Sequence, residues 1–180
     1  MIKVGISGKI ASGKSEVEKI LRKLNYKVFD LDAISHNLFK EDNIKSTILD
    51  EFKTLDRKEI ANIVFVDVDK KKKLEDILYP RLKEIIFELF NENKNEKYVF
   101  ISGALLFKSG FYKFFDKTIF IDAQDAIRLE RLMKRNNLDK ESALARLNLQ
   151  DDGILADFVI QNDSDMNSLE KKVSEVLKLI

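Results

Sequence analysis

The stretch Gly8-Lys9-Ile10-Ala11-Ser12-Gly13-Lys14-Ser15 fits the pattern G-x-x-x-x-G-K-[ST], which is typical of loops that bind nucleotide phosphates. The apolar segment before it, residues 2–7, predicts a short buried strand. Residues 14–24 after it carry apolar side chains at helical spacing. A glycine-rich turn between a strand and a helix directs backbone amides and the positive helix end toward phosphate oxygens. The alternative is a chance glycine turn, which the flanking strand and helix argue against.

The residue types in this stretch predict separate roles in binding ATP. Lys14 is expected to reach the β- and γ-phosphates as a catalytic cation, and the Ser15 hydroxyl is expected to hold Mg²⁺. The other nucleotide-binding residues predicted in the loop are Gly8, Ala11, Ser12 and Gly13.

The composition limits the classes of protein that fit this chain. Its 180 residues, 44% of them hydrophobic, suit one compact domain with a small insertion. Lys and Arg number 32 against 31 Asp and Glu, and a net charge of +1 argues against a general nucleic-acid or membrane binder. The chain has no cysteine, no signal-peptide pattern and no apolar run of membrane-spanning length. We therefore expect a cytoplasmic protein without disulfides.

Two acidic residues follow a second apolar segment, Tyr26–Asp30, which predicts a second strand. Chemistry in parallel α/β sheets collects at the carboxyl ends of the strands. Asp30 is therefore a candidate metal ligand, and Asp32 is a candidate base for the proton of an attacking hydroxyl. The alternative is that Asp32 caps the helix that follows it. Both readings stay open at this point.

The rest of the chain predicts a helical block and three more strands. Residues 33–95 are mostly amphipathic helix and form a helical insertion, in which Pro80 predicts a kink or a break. The run of four lysines at 70–73 predicts a solvated helix face. Strands are expected over 97–102, 115–122 and 157–160, with helices between and after them. This alternation predicts an α/β fold, a five-stranded parallel sheet with helices on both faces.

Residues 124–150 form an arginine-rich pair of predicted helices. Arg135 and Arg146 lie near the turn between them, where a closing lid would bring guanidinium groups onto the transferring phosphoryl group. We therefore predict catalytic roles for both. Arg128 is expected to lie on an ordinary charged helix surface.

Taken in order, the motifs resemble those of the dephospho-CoA kinase family over nearly the whole chain. The resemblance rests on the loop, on Asp30-Leu31-Asp32 followed by His36, on Tyr79-Pro80, and on Leu105-Leu106-Phe107. Two further motifs that begin with Arg-Leu also match the family; they are Arg131-Leu132-Met133-Lys134-Arg135 and Arg146-Leu147-Asn148-Leu149-Gln150. The last matching residues are Ala156-Asp157 and Asn162. The loop alone is common to many proteins, whereas the ordered set is far more specific.

The resemblance implies a single P-loop kinase domain over 1–180, with an acceptor-binding insertion at 33–95 and a lid at 124–150. It implies phosphorylation of the ribose 3′-hydroxyl of dephospho-CoA by ATP with Mg²⁺. We expect the protein to be a monomer or weak oligomer. It adds Asn162 as a nucleotide contact. The residues it implies for binding the acceptor are Asp30, Asp32, His36, Tyr79 and Arg81.

The sequence departs from the family pattern at several positions. Tyr79 stands where the family usually has histidine, and Ser102 and Lys108 stand where it usually has acids. Two other functions therefore remain open. One is kinase activity on a nucleoside or nucleotide, and the other is nucleotide binding without catalysis.

Overall fold

The computed structural model describes residues 1–148 and 156–180, and its centre is a five-stranded parallel sheet. The strands are β1 (Ile2–Gly8), β2 (Lys27–Asp30), β3 (Tyr98–Ser102), β4 (Lys117–Asp122) and β5 (Phe158–Gln161). Their order in the sheet is β2-β3-β1-β4-β5, so the strand that leads into the glycine-rich loop is the central one. Ile6 lies opposite Ser102 on one side and opposite Ile119 on the other. The predicted fold class is confirmed.

Eight α-helices connect and cover the strands within the described residues. They are α1 (Lys14–Lys23), α2 (Leu31–Leu38), α3 (Asp42–Phe52), α4 (Arg57–Val66), α5 (Val68–Glu92), α6 (Asp125–Asn136), α7 (Lys140–Leu147) and α8 (Met166–Leu177). None of them is both long enough and apolar enough to cross a membrane.

The two faces of β1 bury different partners, because successive side chains of a strand point to opposite faces. Val4 and Ile6 pack into a core with apolar residues of α1 and α8. On the other face, a Cβ added at Gly5 would lie 3.0 to 3.2 Å from the side chains of Phe115 and Leu106. Both faces of the central strand are therefore closed, which fixes where its carboxyl end, Gly8, meets the loop.

The described chain divides into two compact units. The first comprises Met1–Phe29 with Lys94–Ile180, and it contains the loop, most of the sheet and helices α1, α6, α7 and α8. The second comprises Asp30–Asn93, and in it helices α2, α3 and α4 each contact α5. The functional insertion was predicted over 33–95, and its role in binding the acceptor stays a prediction.

Helix α5 runs without a break through Pro80, although a break or kink was expected there. A proline inside a helix removes one hydrogen bond and costs about 3 kcal/mol. One face of α5 buries four large side chains: Leu78, Leu82, Ile86 and Phe90. Each buried side chain of this size contributes about 1.5–3 kcal/mol, so their sum exceeds the cost of the proline. The expected break was wrong because tertiary packing outweighs the local defect.

The lysines at 70–73 were predicted to form a solvated helix face, but two of them bind a carboxylate. Lys70 and Lys73 both bind Glu51 of α3, with Nζ–Oε1 distances of 2.7 and 2.9 Å. These contacts hold the pKa of Glu51 at about 2, because both ammonium groups donate to its carboxylate. The start of α5 is thus joined to α3 by charge as well as by apolar contact.

Candidate active site

The glycine-rich loop joins the end of β1 to the first turn of α1. The backbone N–H of Lys9 donates to the carbonyl of Ile121 over 3.1 Å, and that of Ser12 donates to Lys9 over 3.0 Å. Gly13 is the N-cap of α1 with a left-handed φ of 99°, and no side chain caps the helix. A helix N-terminus without a side-chain cap presents backbone donors and a partial positive charge to an anion. The loop therefore has the conformation that its sequence predicted.

Close packing explains why glycine occupies two positions of the loop. A Cβ at Gly8 would lie 2.7 Å from the carbonyl oxygen of Ile121 and 2.8 Å from Oγ of Ser12. A Cβ at Gly13 would lie 2.2 Å from Nδ2 of Asn162. All three distances are too short for a Cβ, and the φ of 99° at Gly13 would strain any side chain there. Gly8 and Gly13 are thus required by the neighbours of the loop as well as by phosphate access.

Two side chains from distant parts of the chain bind one carbonyl of the loop. Nδ2 of Asn162 donates to the backbone oxygen of Ser12 over 2.8 Å, and Nη1 of Arg131 donates to the same oxygen over 3.4 Å. Asn162 is buried. Its predicted role was contact with the nucleotide, and the structure adds that it holds the loop. Ser12 itself is fully buried, and its hydroxyl packs against Gly8.

A cavity of about 750 Å³ opens over the loop. Its walls come from the loop, from α6 and from the segment that joins β5 to α8. The predicted residues that line it are Gly8, Ala11, Gly13, Lys14, Ser15, Arg135 and Asn162. Five cationic side chains line it against two acidic ones; the cations are Lys9, Lys14, Arg131, Lys134 and Arg135, and the acids are Glu16 and Asp165. This size suits a small-molecule ligand, and the excess of cations suits a polyphosphate.

Lys14 and Ser15 begin helix α1 at the floor of this cavity. Nζ of Lys14 lies 3.0 Å from Oε1 of Glu18 and 3.5 Å from Oγ of Ser102 at the end of β3. Ser15 is exposed, so its hydroxyl is accessible to a ligand. These positions allow Lys14 to meet phosphate oxygens and Ser15 to meet a metal ion bound to them.

Helices α6 and α7 form the segment predicted as a lid over 124–150, of which Leu149 and Gln150 lie outside the described residues. The two helices share a small core of Leu132, Ala143 and Leu147, against which Ile10 and Ala11 of the loop pack. Arg135 is exposed and lines the cavity. Arg146 is exposed on α7 and does not line the cavity. The structure therefore brings Arg135, but not Arg146, to the candidate site.

The expectation that Arg128 lies on a surface was wrong. Only 4% of the residue is exposed, and its guanidinium donates to Asp125 over 2.7 Å and to the carbonyl of Ile10 over 3.5 Å. The periodicity of α6 gives no sign that loop residue Ile10 packs beside it, because this contact joins positions 118 residues apart. Arg128 helps to hold the loop.

Arg131 and Lys134 were not predicted to line the site. Arg131 precedes Arg135 by one helical turn, so the two lie on the same face of α6. This spacing, visible in the sequence, was the signal that could have included Arg131 with Arg135.

In the second unit, Asp30 caps helix α2. Its Oδ1 accepts from the backbone N–H groups of Asp32 and Ala33, over 2.9 and 3.2 Å. The alternative reading, in which Asp32 is the cap, was therefore wrong. A cap residue accepts from amides two or three positions later, and this geometry fits Asp30 alone of the pair. Asp32 lies in the first turn of α2 and is partly exposed.

The other predicted acceptor residues also belong to the second unit. His36 is exposed in the last turn of α2. Burial, and then the nearby carboxylate of Glu75, raise the pKa of Tyr79 well above its usual range, so its phenol stays protonated at neutral pH. Arg81 donates to Glu84 and Glu88 over 3.1 and 3.0 Å. Its Nε also lies 3.4 Å from Glu41, so three carboxylates offset its charge.

The family model for dephospho-CoA kinase matches residues 2–168. The chain belongs to the dephospho-CoA kinase family. The dephospho-CoA kinase of Fusobacterium nucleatum is 32% identical over 189 residues, which cover 98% of this chain and 97% of the relative. A solved structure from Thermus thermophilus is 31% identical with a TM-score of 0.85, covering 99% of this chain and 97% of its own. The dephospho-CoA kinase structure from Campylobacter jejuni is 29% identical with a TM-score of 0.71, covering 98% and 95%.

Membership of this family confirms the resemblance drawn from the ordered motifs. The matched range contains the loop, the whole second unit, most of the first unit and the described part of the arginine-rich helices. The departures at Tyr79, Ser102 and Lys108 thus occur in a chain that keeps the family's length and fold.

Proposed function

We propose that this chain transfers the γ-phosphoryl group of ATP to the ribose 3′-hydroxyl of dephospho-CoA, giving CoA and ADP. The observation that carries the proposal is the cation-lined cavity over the loop, in a chain of the dephospho-CoA kinase family. In this scheme the loop and the N-terminus of α1 bind the triphosphate. Lys14 and Arg135 stabilise the charge that develops on the transferring group.

Mg²⁺ completes the proposed site. When bound, Mg²⁺ would neutralise charge on the phosphate oxygens and so ease transfer of the γ-phosphoryl group. The Ser15 hydroxyl fits as a ligand because it is a hard oxygen donor exposed at the cavity floor. Asp30 is the second residue that would hold Mg²⁺, and its carboxylate also caps α2.

Asp32 is the proposed base that takes the proton from the 3′-hydroxyl as it attacks. The other residues of the proposed acceptor site are Asp30, His36, Tyr79 and Arg81. The Asp32→Asn variant keeps the shape but loses the charge, so kcat should fall by about two decades or more with little change in ATP affinity. Asp30→Asn should instead weaken the dependence on Mg²⁺. A folded Asp32→Asn protein that works at the parent rate rules out Asp32 as the base.

The test of the proposed reaction is ADP release with dephospho-CoA against a panel of nucleosides and nucleotides. The proposal expects turnover to depend on dephospho-CoA. Preference for another acceptor would favour a different small-molecule kinase, because a fold does not fix its substrate. Absence of turnover with every acceptor, in a protein that binds ATP, would favour nucleotide binding without catalysis.

We also propose that α6 and α7 act as a lid that closes on ATP and brings Arg146 toward the phosphates. Such a lid should exchange amide hydrogens faster without nucleotide than with it. Hydrogen exchange of residues 124–150, with and without a non-hydrolysable ATP analogue, measures this difference. Equal protection in both states argues against closure.

The proposal places the working enzyme in the cytoplasm as a monomer or weak oligomer, with a small molecule as its partner and no nucleic acid or membrane. Cell fractionation tests the location, and light scattering over a range of concentrations tests the oligomeric state.

A further inference from the structure

Helix α1 carries three charged residues one turn apart: Lys14, Glu18 and Arg22. Side chains four positions apart lie on the same face of a helix. Glu18 is only 5% exposed and is buried beside the apolar core residues of this helix, although it carries a carboxylate. Carboxylates are almost never this buried unless they are paired. The position of Glu18 thus depends on the cations around it.

The two cations bind different oxygens of Glu18 in different surroundings. Oε1 lies 3.0 Å from Nζ of Lys14, and Oε2 lies 3.4 Å from Nη1 of Arg22. The Lys14 side chain is 17% exposed, whereas the Arg22 side chain is 45% exposed. Solvent screens the outer pair more than the inner one. The contact with Lys14 is therefore the shorter and the better shielded of the two.

A neutral group faces Lys14 at the end of β3. The fully buried Ser102 places its Oγ 3.5 Å from Nζ, and this hydroxyl lies 3.4 Å from the carbonyl of Phe29. Ser102 is the position at which the resemblance implies a family acid. Of these two contacts of Lys14, helix α1 provides the carboxylate of Glu18 and strand β3 provides the hydroxyl of Ser102.

We propose that Glu18 is a positioning residue, which holds the Lys14 ammonium at the phosphate loop and supplies the carboxylate that the end of β3 lacks. The inference rests on the proposed kinase function. The contacts with Glu18 and Ser102 hold the ammonium of Lys14 at the floor of the cavity. Lys14 then meets a phosphate oxygen with its orientation already set. Charge placed in advance acts mainly on the transition state, so kcat should depend on Glu18 more than ATP affinity does.

The direct test replaces Glu18 by glutamine, which keeps the size and removes the charge. We expect Glu18→Gln to lower kcat about tenfold while KM for ATP changes less than about threefold. Arg22→Gln is the matched control, because it removes a partner of the same carboxylate without touching Lys14; its kcat should stay within about twofold of the parent value. An unchanged kcat in folded Glu18→Gln overturns the proposal, and so does an equal loss in Arg22→Gln.

A second variant separates positioning from simple stability. Ser102→Asp in the Glu18→Gln background returns a carboxylate to the opposite side of Lys14. The double variant should recover most of the lost kcat, whatever its melting temperature. A folded double variant that is no more active than Glu18→Gln overturns the proposed role.

The pair can also be tested without any turnover. In a double-mutant cycle on thermal unfolding, the shifts caused by Lys14→Met and Glu18→Gln should not add, because both changes break the same contact between Nζ of Lys14 and Oε1 of Glu18. Additive shifts would contradict the pairing. A parent protein that fails to phosphorylate dephospho-CoA would refute the proposed function, while this cycle would still decide whether the pair exists.

Discussion

The contact between Asn162 and the backbone oxygen of Ser12 allows a quantitative prediction. Asn162→Ala removes the 2.8 Å hydrogen bond and leaves Ser12 with the longer contact from Arg131. A buried acceptor that loses its partner costs about 1–3 kcal/mol, and the remaining contact places the expected loss at about 1–2 kcal/mol. For a domain of this size, 1 kcal/mol corresponds to about 2–4 °C in melting temperature. We therefore expect Asn162→Ala to melt about 2–8 °C below the parent.

The same change should weaken nucleotide binding, because the released loop must be ordered again when phosphate binds. A loss of 1–2 kcal/mol corresponds to about a five- to thirtyfold rise in Kd. Calorimetry with a non-hydrolysable ATP analogue measures the affinity, and thermal unfolding measures stability. Asn162→Asp should lower the melting temperature and the affinity further, since it places a carboxylate oxygen against the carbonyl oxygen of Ser12, and both are acceptors. Asn91→Ala, exposed on α5, is the control and should melt within about 2 °C of the parent. Unchanged melting and affinity in Asn162→Ala would refute the reasoning.

Three further predictions concern other parts of the molecule. Lys14→Ala should lower kcat by about two to three decades with the fold retained, since it removes a charge from the transferring phosphates; steady-state kinetics and thermal unfolding measure the two effects. Ala11→Gly should raise the free energy of unfolding by about 0.5 kcal/mol in urea titrations, because Ala11 has a φ of +60°, which costs more than its methyl contacts return. Glu51→Gln should lower the urea midpoint of unfolding at pH 7. The difference in midpoint between parent and variant should shrink as pH falls from about 4.5 toward 2, because the pKa of Glu51 is about 2 in the folded protein and 4.5 as the reference value. A difference that does not vary with pH would contradict the pairing of Glu51 with Lys70 and Lys73.

Local patterns in the sequence predicted those features that depend on neighbouring residues. The glycine spacing predicted the loop, and the apolar segments predicted five strands within one or two residues of their ends. The same patterns gave no information on contacts between distant residues. The hydrogen bonds from Arg128 to Ile10 and from Arg131 to Ser12 both join residues more than 110 positions apart. The break expected at Pro80 was wrong for the same reason, since buried side chains along α5 outweigh a local preference.

The central position of β1 has a consequence for how the protein is made. β1 ends at Gly8, and its neighbours in the sheet begin at Tyr98 and Lys117. Ribosomes add about 5–20 residues per second, so the unpaired backbone edges of β1, a strand with apolar side chains, wait roughly 5–20 s for the first neighbour. The donor that fastens the loop, Asn162, emerges later still. A nascent chain therefore exposes an aggregation-prone strand well before it can bind nucleotide, and ATP cannot protect it during that interval.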